Sequence, residues 1–184
     1  MLKEIDVIDG RDLHTNIKSV PRKPGVYAWY PRLSLDETSA VAFRTSMSIQ
    51  LDAGGTLPKL RGHIGQYAAD LTPGTTTLTS KKSAISHQVA ASSTHRPRFA
   101  YAFLATSIFQ PPLYVGKANN LRTRIRSHRD GRSDFSQEMI ARNLMPNELV
   151  VAYVVLEKLP PKCNELLEYV LTAISAPPFV KRKG

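Results

Sequence analysis

A short basic segment holds many of the residues that could do chemistry. It carries one histidine, His128, and five arginines: Arg122, Arg124, Arg126, Arg129 and Arg132. Arg122, Arg126 and Arg129 are spaced at i, i+4 and i+7, so on a helix they form one basic stripe. Arg124 and His128 share another face near the helix N-terminus, which favours anions. The pattern indicates phosphate binding; a solvated arginine face is the alternative.

Two tyrosines and one glutamate are further candidates. Tyr27 lies in a β-prone run, and Tyr114 opens a second one, Tyr114-Val115-Gly116-Lys117. Glu168 lies at the edge of the apolar face of an amphipathic helix predicted over Glu165–Ser175, where it can face a cleft. Phenols and carboxylates at such positions suit proton transfer or metal binding. The alternatives are core packing for the tyrosines and a solvated surface for the glutamate.

Strands and helices that would position these residues can be read from the apolar pattern. Strands are predicted over Gly25–Tyr30, Leu113–Lys117 and Glu148–Glu157, which are rich in β-branched and aromatic residues. Helices are predicted from Asn119 or Asn120, as N-cap, to a stop at Gly131, and over Asp134–Arg142. The result is a small α/β domain of the α+β layered kind, with helices covering the strands.

Residues 32–98 are patterned less regularly and have the composition of an insertion. Ser, Thr, Gly and Pro are dense there, and one helix is predicted over Ala40–Leu51. The Thr-rich stretch Thr72–Thr79 fits either a strand pair or a flexible loop. Phe99–Leu104 is predicted to be a strand.

The motifs on these elements, in their order along the chain, resemble those of the GIY-YIG nuclease family. The resemblance is carried by Gly25-Val26-Tyr27, by Tyr114-Val115-Gly116-Lys117, by Arg124, and by Leu166-Leu167-Glu168 followed by Pro178-Phe179. It covers about residues 24–31 and 112–180. It implies a three-stranded antiparallel sheet flanked by helices. Residues 1–24, which end in Pro21-Arg22-Lys23-Pro24, lie outside the resemblance and are predicted to be an N-terminal arm. The nuclease domain would then span residues 25–184, interrupted by a large insertion at about 32–110 between the first two motif strands.

The same resemblance implies hydrolysis of phosphodiester bonds with one divalent cation, Mg²⁺ or Mn²⁺, held by Glu168. Arg124 and the cation would stabilise charge that develops on phosphate oxygens. Tyr27 is the candidate general base, and Tyr114 would share the water or orient the phosphate, with the order between the two tyrosines open.

Two more residues have expected supporting roles in that chemistry. An unperturbed phenol has a pKa near 10, so Tyr27 needs help to act near neutral pH, and Lys117 and the metal are the expected source. His128 would assist proton transfer or bind phosphate. Together with Tyr27, Tyr114, Arg124 and Glu168, these residues complete the predicted catalytic set.

This sequence departs from the family's pattern at two points. The family usually has asparagine just after the Pro-Phe pair, where this chain has Val180, and the spacing between the first two motif strands is far longer than usual. The first departure puts terminal stabilising hydrogen bonds and full activity in question. The second leaves an insertion that is a natural place for substrate selection.

Composition favours a nucleic-acid partner and a reducing compartment. Lys and Arg number 25 against 15 Asp and Glu, giving a net charge of +10, which attracts polyanions. Cys163 is the single cysteine, and no secretory signal or membrane span is recognised, so a soluble cytoplasmic protein is expected. Arg122, Arg126, Arg129 and Arg132 are the predicted nucleic-acid contacts, and the tail Lys181-Arg182-Lys183 adds candidate phosphate contacts.

These observations predict a metal-dependent DNA endonuclease of the restriction or mobile-element type, with the insertion supplying sequence specificity. One alternative is a catalytically weakened nucleic-acid-binding module, which Val180 and the altered spacing favour. Another is a structure-specific DNA repair nuclease. RNA as substrate and the oligomeric state stay open, and cleavage of a palindrome would imply a homodimer at least transiently.

Overall fold

The computed structural model describes residues 5–56, 60–64, 67–71, 78–157, 159–160, 162–175 and 177–179. Val180, the basic tail and most of the Thr-rich stretch lie outside the described residues. Contacts along the chain define two units, one formed by residues 1–32 and 108–184 and the other by residues 33–107. The predicted N-terminal arm falls in the first unit.

Each unit has its own set of helices and strands. The first contains β1 (Asp6–Asp9), α1 (Leu13–Asn16), β2 (Gly25–Pro31), β5 (Tyr114–Ala118), α5 (Leu121–Arg129), α6 (Asp134–Ala141), β6 (Leu149–Val155) and α7 (Cys163–Ser175). The second contains α2 (Ala40–Thr56), β3 (Leu60–Ile64), β4 (Tyr67–Leu71), α3 (Ser80–Ala91) and α4 (His95–Ala105). The predicted mixture of strands and helices is confirmed.

An antiparallel sheet in the order β1-β6-β2-β5 forms the centre of the first unit. Tyr27 on β2 lies opposite Gly116 on β5 and opposite Tyr153 on β6. The sheet therefore has one strand more than the predicted three, because β1 from the N-terminal arm pairs with β6. Four residues with two carboxylates give too weak an apolar pattern to predict that strand, and backbone hydrogen bonds to β6 hold it in place.

The two faces of the sheet pack against different helices because side chains alternate along a strand. Tyr27 and Trp29 belong to a buried cluster with Ile125 of α5 and Phe135 of α6. Val26, Ala28 and Val115 point the other way and pack with Leu167 of α7. The strand bearing Tyr27 is thus buried on both faces, which fixes its register firmly.

Local signals set the start and end of α5 and the start of α6. The side chain of Asn120 accepts a hydrogen bond from the Thr123 backbone N–H at 3.0 Å and caps α5, and Gly131 adopts a left-handed φ of 73° just after it. Ser133 and Ser136 form a reciprocal capping box at the start of α6. The predicted stop at Gly131 is confirmed, and of the two predicted caps Asn120 is used.

The apolar face predicted for α7 is only partly covered. Leu167 packs against the sheet, whereas Leu166 is 65% exposed and Ile174 is 55% exposed within the described structure. The apolar face predicted from the helical wheel is wider than the part of α7 that contacts β2 and β5. The helix is therefore less buried than its apolar pattern predicts.

The second unit packs α2, α3 and α4 around Phe43, Ala90 and Ala100, and it also contains the β3–β4 hairpin. The predicted helix over residues 40–51 is confirmed and extends to Thr56. The predicted strand over Phe99–Leu104 is wrong, because these residues lie in α4. A short aromatic run fits a strand or a buried helix equally, and Ala100 and Phe103 pack at helical spacing. Throughout the described residues, every helix is too short or too polar to cross a membrane.

Candidate active site

The Tyr27 hydroxyl is the centre of a buried polar group. Tyr27 is 1% exposed, and its hydroxyl oxygen lies 2.6 Å from Nε2 of His128 on α5. The Nε–H of Arg124, one helical turn before His128, donates to the same hydroxyl at 3.3 Å. Helix α5 thus brings a cation and an imidazole to one phenol, as the i, i+4 spacing of Arg124 and His128 requires.

Gly116 lets the backbone of β5 approach the two tyrosines closely. A Cβ at this position would lie 2.5 Å from the Tyr27 hydroxyl oxygen and 2.7 Å from the ring of Tyr114. No side chain larger than hydrogen fits there without moving a phenol. Glycine at this position is therefore a requirement of the aromatic site itself.

Burial sets the protonation states of the buried pair. It raises the pKa of the Tyr27 phenol far above its ordinary value, and the nearby Tyr114 adds to that rise while Arg124 opposes it. Burial also lowers the pKa of His128 to about 3, with the Arg124 charge contributing. Near neutral pH the resting site therefore holds a neutral phenol and a neutral imidazole beside the Arg124 guanidinium.

A cleft of about 300 Å³ opens at the edge strand β5. Its walls include Tyr114, Arg124 and Glu168, which come from β5, α5 and α7. Arg124 both lines this cleft and contacts the Tyr27 hydroxyl, so it connects the buried pair to the open space. The sequence-predicted residues Tyr27, Tyr114, Arg124, His128 and Glu168 thus lie around one location.

Two carboxylates that the sequence analysis did not single out also line the cleft. Asp134 and Glu138 both lie on α6, and Glu138 forms an ion pair with Arg142 at 3.1 Å. Their i, i+4 spacing was the signal that could have placed both on one face of that helix. They add negative charge to a cleft whose cation is Arg124.

Lys117 is not brought together with Tyr27. It lies opposite Val26 in the β2–β5 pairing and therefore shares the α7 face of the sheet, whereas Tyr27 is on the other face. Its ammonium group forms an ion pair with Glu165 of α7 at 3.1 Å. Lys117 consequently links α7 to β5, and the Tyr27 hydroxyl contacts His128 and Arg124 instead.

The arginine stripe of α5 is divided between two environments. Arg122 donates to the backbone carbonyls of Lys18 and Val20, both at 2.6 Å, and Arg129 donates to that of Leu13 at 3.2 Å. These two arginines hold the N-terminal arm against the helix. Arg126 is exposed, as is Arg132 beyond the end of α5.

Oxygen donors at the cleft suit a hard divalent cation. Glu168 is half-buried at its wall, and a single carboxylate with phosphate and water ligands is a common way to hold Mg²⁺. Within the described ranges, no three His, Cys, Asp or Glu side chains are grouped so that they could hold a metal ion on their own. Metal binding by Glu168 stays a prediction.

The fold and the cleft together define a mixed α/β protein with a site at a sheet edge that combines aromatic rings, Arg124 and several carboxylates. Comparison of the chain with protein-family models, with curated proteins and with solved structures gives no match.

Proposed function

We propose that this protein is a metal-dependent DNA endonuclease of the GIY-YIG type, acting at the cleft beside β5. The observation that carries the proposal is the convergence of Tyr27, His128 and Arg124 in one hydrogen-bonded group next to the cleft that Glu168 lines. These residues come from three separated motifs, and packing alone does not require a phenol, an imidazole and a guanidinium to meet.

Hydrolysis of a phosphodiester needs a proton acceptor for the attacking water. In the proposed step the Tyr27 oxygen accepts a proton from water while its own proton moves to Nε2 of His128, so no free phenolate forms. Burial raises the pKa of Tyr27 and so disfavours a free phenolate, which is why the phenol proton is passed to His128 in the same step. Tyr114 lines the cleft and interacts with Tyr27 through its hydroxyl, which extends the path towards substrate.

Charge on the phosphate oxygens would be met by Arg124 and by the cation at Glu168. A guanidinium that both faces the cleft and binds the Tyr27 hydroxyl can hold the scissile phosphate close to the base. When bound, a divalent ion supplies Lewis-acid stabilisation of the phosphate. Glu168 would hold that ion through its carboxylate oxygens.

The proposal that the substrate is DNA rests on the positive charge of the protein. The net charge of +10 provides sequence-independent attraction to a polyanion, and Arg126 on α5 and Arg132 just after it are exposed. Arg122 and Arg129 have fewer donors left for phosphate because they bind the N-terminal arm.

The test is cleavage of plasmid and phage DNA by the purified full chain with Mg²⁺, with Mn²⁺ or with EDTA. We expect cutting that requires the metal and that falls at least about 10²-fold in Arg124→Ala and in Glu168→Gln at saturating DNA. Glu165→Gln is the control for Glu168→Gln, because Glu165 lies one turn earlier on α7 and pairs with Lys117. Arg126→Ala is the control for Arg124→Ala, because it also removes one exposed positive charge from α5.

Each outcome has a distinct meaning. Discrete metal-dependent fragments support a sequence-specific enzyme, and diffuse nicking lost in both variants supports a structure-specific or nonspecific nuclease. Absence of cutting together with salt-sensitive retention of DNA would overturn the nuclease proposal in favour of a binding module. Arg126→Ala should weaken DNA retention and leave the rate at saturating DNA unchanged.

A second prediction concerns the close approach of Gly116. Gly116→Ala should lower the cleavage rate about 10²-fold, because the added methyl group displaces the Tyr27 or Tyr114 phenol by roughly an ångström. The free energy of unfolding should fall by only about 1–3 kcal/mol, the usual cost of overpacking. Single-turnover cleavage and urea denaturation measure the two effects, and an unchanged rate would show that phenol placement does not matter.

A further inference from the structure

The second ring nitrogen of His128 has a buried partner that the proposed chemistry does not yet use. Nδ1 lies 2.5 Å from the Oγ of Ser133, the residue that caps α6. His128 is 0% exposed and Ser133 is 8% exposed. The imidazole is therefore held at both nitrogens, by a phenol on one side and by a serine on the other.

Hydrogen counting within the capping box decides which group donates to which. The Ser136 backbone N–H donates to Ser133 Oγ at 3.1 Å, and the Ser133 backbone N–H donates to Ser136 Oγ at 2.9 Å. The Ser136 hydroxyl donates to the Ser133 carbonyl at 2.7 Å, which uses its only hydrogen. The contact between the two Oγ atoms, at 2.9 Å, must then take the hydrogen of Ser133.

With its hydrogen directed to Ser136, the Ser133 hydroxyl has only a lone pair left for the imidazole. Nδ1 of His128 must therefore carry the hydrogen and donate it to Ser133. A neutral imidazole has one N–H, so Nε2 is left with its lone pair towards Tyr27. Each hydrogen of Ser133 and Ser136 in this network is then used once, and each of their two Oγ atoms accepts two hydrogen bonds.

We infer that Ser133 is a positioning residue that fixes His128 in the Nδ1–H tautomer, so that Nε2 can receive the proton of Tyr27. The consequence for catalysis rests on the proposed nuclease function, whereas the tautomer itself does not. In the opposite tautomer Nε2 would donate to Tyr27, so the imidazole could not accept the proton of the phenol. The capping box that starts α6 thus prepares His128 on α5 to accept the proton of Tyr27.

Long-range ¹H–¹⁵N correlation spectra of the full chain labelled at histidine measure the tautomer directly. The His128 signals are assigned by their loss in His128→Gln. We expect the wild type to be Nδ1–H, and Ser133→Ala to show a mixture of tautomers with cleavage reduced about 10-fold or more. Ser133→Thr keeps a hydroxyl and should restore both the Nδ1–H tautomer and most of the rate.

Ser136→Ala is a second variant, because it leaves the Ser133 hydroxyl beside Nδ1 and removes the acceptor of its hydrogen, together with the two bonds of Ser136 Oγ to the Ser133 backbone. That hydrogen becomes available to His128, so the Nε2–H population should rise and cleavage should fall. It also keeps the inference testable if Ser133→Ala does not fold.

The failure of this inference can be told apart from the failure of the nuclease proposal. A wild-type His128 in the Nε2–H form overturns the inference whether or not DNA is cut. An Nδ1–H tautomer that shifts in Ser136→Ala supports the inference even if no DNA is cut, in which case only the nuclease proposal fails. Normal cleavage in a variant with a shifted tautomer would overturn the positioning role.

Discussion

Tyr27→Phe is expected to lower the single-turnover rate of DNA cleavage by about 10²–10⁴-fold, the range typical of general acid–base groups. The substitution removes one oxygen atom, the one that lies 2.6 Å from His128 Nε2 and accepts from Arg124 at 3.3 Å. Without it, neither the proton path to His128 nor the hydrogen bond that orients Arg124 exists. DNA affinity should change little, because the buried phenol adds no charge to the surface.

The ring itself stays in place in this variant, so the fold should survive. The Tyr27 ring is tilted against the rings of Tyr114 and His128, with centroids at 6.0 and 5.4 Å, and phenylalanine keeps those contacts. The variant leaves Nε2 of His128 without its buried partner, which should lower the free energy of unfolding by about 1–3 kcal/mol. Chemical denaturation of the variant separates this cost from the loss of rate.

Tyr30→Phe is the matched control, because Tyr30 lies three residues further along β2 and packs on the opposite face. The same chemical change there should leave cleavage unchanged. Tyr114→Phe decides the order of the two tyrosines. If Tyr114→Phe abolishes cutting while Tyr27→Phe retains it, the base is Tyr114 and the proton path through His128 is wrong.

The elements around the site could be predicted from sequence because each carries a strong local signal. Strands β2 and β6 are dense in β-branched and aromatic residues, and α5 has both an asparagine cap and a glycine stop. The four-residue spacing of Arg124 and His128 then placed both on one face. These predictions depend only on neighbours within a turn or a strand, which a sequence displays directly.

The contacts that the sequence could not predict are those that long-range packing decides. Lys117 was expected to help Tyr27 act near neutral pH, and the register that pairs Val26 with Lys117 puts it on the other face of the sheet. Arg122 was predicted to bind nucleic acid. Its side chain donates to the backbone carbonyls of residues 18 and 20, and nothing in the sequence of α5 indicates those contacts. Register and partners 100 residues away are tertiary facts that local periodicity does not contain.

The second large effect is expected on stability: the free energy of unfolding should depend on pH because His128 is buried in its neutral form. The pKa of His128 is lowered from 6.5 to about 3 by burial and by Arg124. Below pH 6.5 the unfolded chain binds a proton that the folded chain does not, so stability is present above that pH and is lost as the pH falls towards 3. Each pH unit in this window should cost about 1.4 kcal/mol, or about 2 kcal/mol at pH 5.

Removing the imidazole should flatten that dependence. His128→Phe keeps a ring among Tyr27, Trp29 and Phe135 but cannot bind a proton, so its unfolding free energy should fall less between about pH 7 and pH 5 than that of the wild type. His14→Gln, which removes an exposed histidine, is the control and should follow the wild-type curve.

Trp29 makes the measurement specific to the first unit. It is the only tryptophan in the chain, it is fully buried, and its ring lies 6.1 Å from that of His128. Urea denaturation followed by its fluorescence therefore reports on the sheet and helices that hold the site. Parallel pH curves for the wild type and His128→Phe would contradict a neutral buried imidazole, and with it the proton acceptor on which the proposed chemistry of Tyr27 depends.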